Sequence, residues 1–269
     1  MTSPNSKFAA SDRREIHKRE LGAFLAHKRA STRPEDVGIP VAAGTKRRTP
    51  GLRREEVAFA AGVGVSWYTW IEQGRAENVS GEILDSLARV LRLTTNERLY
   101  IRRLAGRDCT VADPDTAIPD ALLQPYPDNW RSGPAYVVDY RWNIRAANTS
   151  ATKILGFASG VNVLEAVFTS TVTHAGFTDP AQAQRDHVAR FRTHLSNYQC
   201  DPDLCQLTRS LNARSAAFRR LWQEHNIAED SCGDTSLVMP HGDVLMHWTT
   251  LSFTERIGMK FVAYYPLEE

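Results

Sequence analysis

Glu56-Val57-Ala58-Phe59-Ala60-Ala61-Gly62-Val63-Gly64-Val65-Ser66-Trp67-Tyr68-Thr69-Trp70-Ile71-Glu72-Gln73-Gly74-Arg75 holds two short apolar-faced segments, separated by Gly62-Val63-Gly64 and closed by Gly74. Glycine just past the last periodic residue is a helix stop, because it takes the left-handed conformation at no steric cost. The stretch therefore predicts one helix ending at Gly62 and a second over residues 65–73. In the second, helical phase turns Tyr68 and Ile71 inward and leaves Val65, Ser66, Trp67, Thr69 and Trp70 outward.

Working outward, the neighbours are helical too. Leu21, Phe24 and Leu25 at i, i+3, i+4 predict an amphipathic helix of roughly three turns, with Lys18, Lys28 and Arg29 on its other faces. A long connection from Ser31 to Gly51 carries Lys46-Arg47-Arg48, and Thr49-Pro50 reads as the start of the next helix, which carries Leu52 and Val57. Ile83, Leu84, Leu87, Val90 and Leu91 predict a fourth helix; Leu99, Ile101 and Leu104 predict a fifth from about Asn96.

Charge sharpens this reading. The formal net charge of +2 over 269 residues is an average of two unlike parts. Residues 1–107 carry 20 Lys and Arg against 12 Asp and Glu, a net +8, whereas residues 108–269 carry 13 against 19, a net −6. At about 150 residues per domain the length suggests two domains, and Asp108–Thr116, with turn formers and no helical period, marks the division near residue 110. Two short helices around a glycine turn in a basic all-helical unit describe a helix-turn-helix, whose second helix enters the major groove of DNA.

The residues Glu56-Val57-Ala58, Ala61-Gly62-Val63, Tyr68 and Ile71-Glu72-Gln73-Gly74-Arg75 resemble the Xre, or λ-repressor-like, helix-turn-helix family. One departure is Gly64, where that family usually has a Ser or Thr cap; Gly costs only a few tenths of a kcal/mol there. Candidate DNA-binding residues are Val65, Ser66, Trp67, Thr69 and Trp70 toward the groove, with Arg75. Lys46, Arg47, Arg48, Arg53 and Arg54 are candidates for phosphates or a narrow minor groove.

From Pro134 the pattern changes to mixed α and β. Ala135–Asp139 and Trp142–Ala146 predict two strands, followed by Asn148 and a helix stopping at Gly156. Val188, Phe191 and Leu195 predict one amphipathic helix, Leu204, Leu207 and Leu211 a second, and Phe218, Leu221, Trp222 and His225 a third. Two final strands are expected, Val244–Phe253 near the turn His241-Gly242-Asp243 and Met259–Tyr265. The class is α+β, an antiparallel sheet covered by helices on one face. The organisation expected is a flexible tail over 1–17, a helix-turn-helix domain over 18–107, a connecting segment over 108–133 and an α+β domain over 134–269.

The order strand, turn, strand, Asn, helix resembles the start of a PAS domain. More narrowly, Pro134–Asp139, Trp142, Ala146-Ala147-Asn148 and Phe218–His225 resemble the MmyB-like ligand-binding domain. Arg47–Ala58 and Glu72–Arg75 are shared with the helix-turn-helix that precedes it in such regulators. The resemblance covers roughly residues 20–265 and implies a PAS-like pocket for a fatty acid or similar apolar small molecule, with dimerisation. Within the pocket, the candidate ligand-binding residues are Tyr136, Trp142, Asn148, Phe218, Arg219, Arg220, Trp222 and His225. Asn148 could cap a helix or orient a ligand, and His225 could be a core histidine. Arg219 or Arg220 could grip a carboxylate through the guanidinium fork, or serve as ordinary surface residues.

Other classes find little support. No G-x-S-x-G, P-loop, H-E-x-x-H, G-x-G-x-x-G or Cys-x-x-Cys occurs, so no enzyme is expected. Cys200 and Cys205 with His187 and His194 match no zinc-knuckle spacing, and no metal or obligate cofactor is expected. Apolar runs such as Val57–Ala61 fall far below the ~18 residues of a membrane helix. Met1–Ser6 offers no signal-peptide-like stretch, so a cytoplasmic protein is expected. The expected partners are double-stranded DNA, a small-molecule effector and a second copy of the chain; the alternative is a C-terminal domain that binds another protein and no small ligand.

Overall fold

The computed structural model describes residues 4–39, 50–106, 119–198, 201–229, 231–254 and 258–267. The chain forms two compact units, residues 1–110 with 196–200, and residues 111–195 with 201–269.

The first unit is all-helical. Its helices are α1 (Pro4–Ser31), α2 (Arg54–Ala61), α3 (Val65–Glu72), α4 (Gly81–Val90) and α5 (Thr95–Leu104), with a 3-10 turn at Pro34–Val37. Leu21, Phe24, Leu25, Leu52, Val57, Tyr68, Ile71, Leu84, Leu87 and Ile101 form its buried core. Each such side chain contributes roughly 1.5–3 kcal/mol through removal from water. Capping residues fix the ends. Ser80 Oγ accepts from Ile83 N, and Thr94 and Glu97 exchange side-chain and backbone hydrogen bonds in a capping box. α1 crosses α3 closely at Gly22, where a Cβ would stand 2.3 Å from the Glu72 carbonyl oxygen.

Two expectations change here. α1 runs 28 residues instead of about three turns, and takes in most of the stretch read as a tail. α2 starts at Arg54, after Arg53, instead of at Pro50. The reason is a competing set of hydrogen bonds: Leu52 N donates to the carbonyls of Arg29 and Thr32, strapping Pro50–Leu52 across the end of α1. Glu56 then reaches back to accept from Arg53 N at 2.7 Å, which starts α2 at Arg54, four residues later.

The second unit is α+β. It contains α6 (Asp120–Leu123), α7 (Pro125–Asp128), β1 (Ala135–Val138), β2 (Ile144–Ala147) and α8 (Thr149–Leu155). Then come α9 (Val163–Thr169), α10 (Thr171–Gly176), α11 (Pro180–Asn197), α12 (Pro202–Arg214) and α13 (Ala216–Gln223), followed by β3 (Cys232–Met239), β4 (Gly242–Ser252) and β5 (Lys260–Pro266). The five strands form one sheet in the order β2-β1-β5-β4-β3, every pair antiparallel. Strand alternation sends Tyr136, Val138, Val262, Tyr264, Met246 and Trp248 to one face and Val137, Phe261 and Leu251 to the other.

β3 has no counterpart in the expected strands. Its sequence, Cys-Gly-Asp-Thr-Ser-Leu-Val-Met, lacks a clean apolar alternation, and it is defined by pairing with β4 through the tight turn at Pro240-His241. Nor are helices confined to one face. Leu123 joins Val137, Ala146 and Met259 in a core on the face opposite Tyr136. Trp130 Nε1 donates to the Tyr264 carbonyl at 2.7 Å, and Tyr126 meets Phe253 edge to face. Residues 119–133, expected as connection, thus belong to the folded unit.

Candidate functional site

α3 presents the outward face that its phase predicts. Tyr68 and Ile71 are buried, Val65 and Ser66 are exposed, Trp67 and Thr69 are half-buried, and Trp70 is 49% exposed. Trp67 and Trp70 stand edge to face with centroids 6.1 Å apart, one turn of helix combined into a single aromatic ledge. Thr69 Oγ1 donates to the Val65 carbonyl at 2.8 Å, so its hydroxyl proton is spent within the helix.

What holds this helix in place is Glu72, whose side chain is 1% exposed. Arg29 Nε donates to Oε1 and Arg54 Nε to Oε2, both at 2.6 Å, joining α1, α2 and α3 at one carboxylate. Burial pushes the Glu72 carboxyl up, yet the hydrogen bonds from Arg29 and Arg54 outweigh it and hold it below the ordinary range. Tyr68 beside it is pushed up, first by burial and then by the Glu72 charge. Arg54 therefore has a structural task that its sequence position did not reveal. Arg53 and Arg75 are exposed, while Lys46, Arg47 and Arg48 lie outside the described residues.

In the second unit the expected pocket residues separate. Tyr136 and Trp142 line one cavity, of about 20 Å³, together with Val138, Asp139, Val163, His187, Arg190, Lys260 and Val262. It lies on the Tyr136 face of the sheet and is walled by α11. Trp142 takes a left-handed backbone, φ 66°, and sets its indole edge-on to His187, Phe191 and His194.

Asn148 uses its whole amide structurally. Its Oδ1 accepts from Ala151 N at 2.8 Å, capping α8, and from Ala135 N at 3.1 Å; its Nδ2 donates to the carbonyls of Gly133 and Trp130. Phe218 and Trp222 stack on each other at 5.5 Å and 13°. Arg219 is exposed and donates to the carbonyls of Asn212 and Ala213 at the end of α12, and Arg220 is exposed. His225, at φ 50°, places Nδ1 3.3 Å from Arg192 Nη1. None of Asn148, Phe218, Arg219, Arg220, Trp222 or His225 lines the cavity of Tyr136 and Trp142.

The missed residues are on α11. Arg190 is 5% exposed and Arg192 1%. Arg190 lies over the Trp248 ring at 4.2 Å and Arg192 over Trp222 at 3.9 Å, with Arg192 Nη2 donating to the Trp222 carbonyl. The available sequence signal was the run His187-Val188-Ala189-Arg190-Phe191-Arg192-Thr193-His194, cations on both sides of a core phenylalanine. Position 190 shares a face with 187, 191 and 194. His187 Nδ1 bonds the Ala183 carbonyl and His194 Nε2 the Tyr140 carbonyl; no group of three or more metal-ligating side chains is found among the described residues.

A larger surface cleft, about 300 Å³, is lined by Arg141, Asn143, Asn162, Glu165, Asp203, Leu204 and Leu207. Arg141, the cation in that lining, is gripped by Asp201 at 2.9 Å and Asp203 at 2.7 Å. The cleft thus offers mainly amide and acidic groups.

Comparison with known families agrees with both units. Residues 122–269 match the MmyB-like transcription regulator ligand binding domain, more than half of the chain. The chain belongs to the MmyB-like transcription regulators. Residues 20–100 match a helix-turn-helix domain, so this MmyB-like protein is a DNA-binding transcription regulator with a ligand-binding domain. No curated protein sequence matches it. Among its described residues no helix is long and apolar enough to cross a membrane.

Proposed function

We propose that this MmyB-like regulator is a cytoplasmic, Xre-type, sequence-specific repressor or activator that binds paired half-sites as a homodimer. Its DNA affinity is set by a small, fatty-acid-like effector. The observation that carries the reading is the outward face of α3, with Val65, Ser66, Trp67 and Trp70 presented by a unit of net +8. Val65 suits contact with a thymine methyl, Ser66 a base edge or phosphate, and the indoles add apolar contact area. Arg53 and Arg75, with Lys46, Arg47 and Arg48, supply phosphate contacts. A second copy is required on specificity grounds, since one recognition helix reads only a few base pairs. The effector occupies the side of the sheet that carries Tyr136 and Trp142, and it changes which of two arrangements of the regulator is populated.

Footprinting on DNA upstream of the protein's own gene tests this. Two protected half-sites about one helical turn apart are expected; protection indistinguishable from that on random DNA contradicts it.

A second reading, a C-terminal domain that binds a protein and no small ligand, draws support from the outer face of β3 and β4. Val238, Leu245 and Leu251 are exposed there, Leu251 at 58%. Loss of a protein partner on Leu245→Asp and Leu251→Asp, with no small molecule bound by the wild type, favours that reading.

A further inference from the structure

We propose that α3 selects its operator through the C5-methyl groups of thymine, read by Val65 and by the ledge of Trp67 and Trp70. This rests on the reading that α3 enters the major groove, and it goes further by naming the group on DNA that is read and the side chains that read it.

The outward face is short of hydrogen-bonding groups. Residues 65–70 run Val-Ser-Trp-Tyr-Thr-Trp, and Tyr68 is buried. None of the others carries the guanidinium fork or the amide that reads a base on two hydrogen bonds. Thr69 donates its hydroxyl proton to the Val65 carbonyl, and each indole offers one N–H and no acceptor. Ser66 adds a single hydroxyl. Gln73 does carry an amide, but it is the C-cap of α3, whereas a recognition helix meets base edges with its N-terminal residues.

Apolar area is what this face has in supply. Val65 is exposed at the first position of the helix, and Trp70 is half exposed five residues on. Trp67 backs Trp70 edge to face, with centroids 6.1 Å apart. One feature of the major groove matches such a surface: among the four bases, thymine alone presents a methyl group there. Removing one methyl from water against an apolar side chain strengthens binding about fourfold.

The ledge is also held in place before DNA arrives. Glu72, two residues past Trp70, accepts from Arg29 on α1 and Arg54 on α2, and Gly22 of α1 lies directly against its carbonyl. Rolling α3 to present other side chains would break that buried pairing. Little freedom is therefore lost when the rings meet a base step.

The test is an anisotropy titration of the full-length protein, at fixed salt, with the DNA upstream of its own gene made once with thymidine and once with deoxyuridine throughout. Deoxyuridine keeps the O4 acceptor and the base pairing and lacks only the methyl. Wild type is expected to bind the thymidine duplex at least about fourfold more tightly. Val65→Ala and Trp70→Ala should each shrink that ratio, and the double variant should bring it near one. Ser66→Ala should weaken binding to both duplexes and keep the ratio. Sequence-specific binding with equal Kd for the two duplexes overturns the methyl reading and leaves the DNA-binding reading standing. Binding of the thymidine duplex no tighter than random DNA overturns the DNA-binding reading, and the proposal with it. Loss of methyls also changes duplex shape and stiffness, so an undiminished ratio in the folded double variant overturns the proposal too. Trp67 is half-buried, so the two exposed positions, Val65 and Trp70, decide.

Discussion

Arginines find different partners in the two units. In the helix-turn-helix unit, Arg29 and Arg54 meet the carboxylate of Glu72, and the chain supplies both signs of charge from residues 18 and 43 positions apart. In the ligand-binding unit, Arg190 and Arg192 lie over indole rings and donate to backbone carbonyls. The first arrangement fixes α3 for presentation to DNA. The second holds guanidinium groups against ring faces within the core of the domain.

The comparison is most exposed at Glu72. Replacement by Ala strands two arginines around a buried hole and is expected to destabilise the first unit by about 3–5 kcal/mol. The check is denaturant unfolding followed by helical signal, in parallel with operator binding, which should be lost as α3 is released. An equal fall in the stability of the second unit would contradict the division of labour.

Acid is a second lever on the same group. Because the folded-state pKa of Glu72 is lowered, its contribution is fully present above the ordinary carboxylate value near 4.3. It disappears as pH falls through the lower folded value. Wild type should therefore lose stability on acidification through that window, whereas Glu72→Gln, less stable at neutrality, should change less. Parallel pH–stability curves for the two proteins would argue that Glu72 is not the group responsible.

Asn148 distinguishes scaffold from receptor within the second unit. Asn148→Ala removes a helix cap and a buried amide network and is expected to cost roughly 2 kcal/mol, yet to leave binding of a fatty-acid-like probe such as octanoate intact. A selective loss of octanoate binding at unchanged stability would return Asn148 to the ligand. A smaller effect on stability is expected at Trp70: Trp70→Ala should stay within ~0.5 kcal/mol of wild type and still weaken operator binding about tenfold, read by fluorescence anisotropy on labelled DNA.

These contrasts also explain what the sequence disclosed. α2 and α3 were legible because helical period and glycine stops are local, and Tyr68 and Ile71 follow from phase alone. Glu72 reads only as part of a motif, since its partner Arg29 lies on another helix. In the second unit, β1, β2 and the Asn148 cap are local as well. β3 was hidden because Gly233 and Thr235 occupy inward positions where apolar alternation would be sought; Gly233 is there to admit the Trp248 ring. Arg219 and Arg220 drew notice as cations beside Phe218, but on α13 they fall between the inward positions 218 and 221 and turn to solvent. Arg190 follows the same neighbour rule on α11, a helix buried on several sides. There only the tertiary contact with Trp248 shows that the cation points inward.

Effector binding in the second unit is expected to change DNA binding by the first. Coupling is reciprocal, so it can be read from either end. The most direct measurement is the Kd for the footprinted operator with and without saturating octanoate, a fatty-acid-like probe. A change of about fivefold or more is expected. An operator Kd that stays the same while octanoate is bound would contradict the coupling.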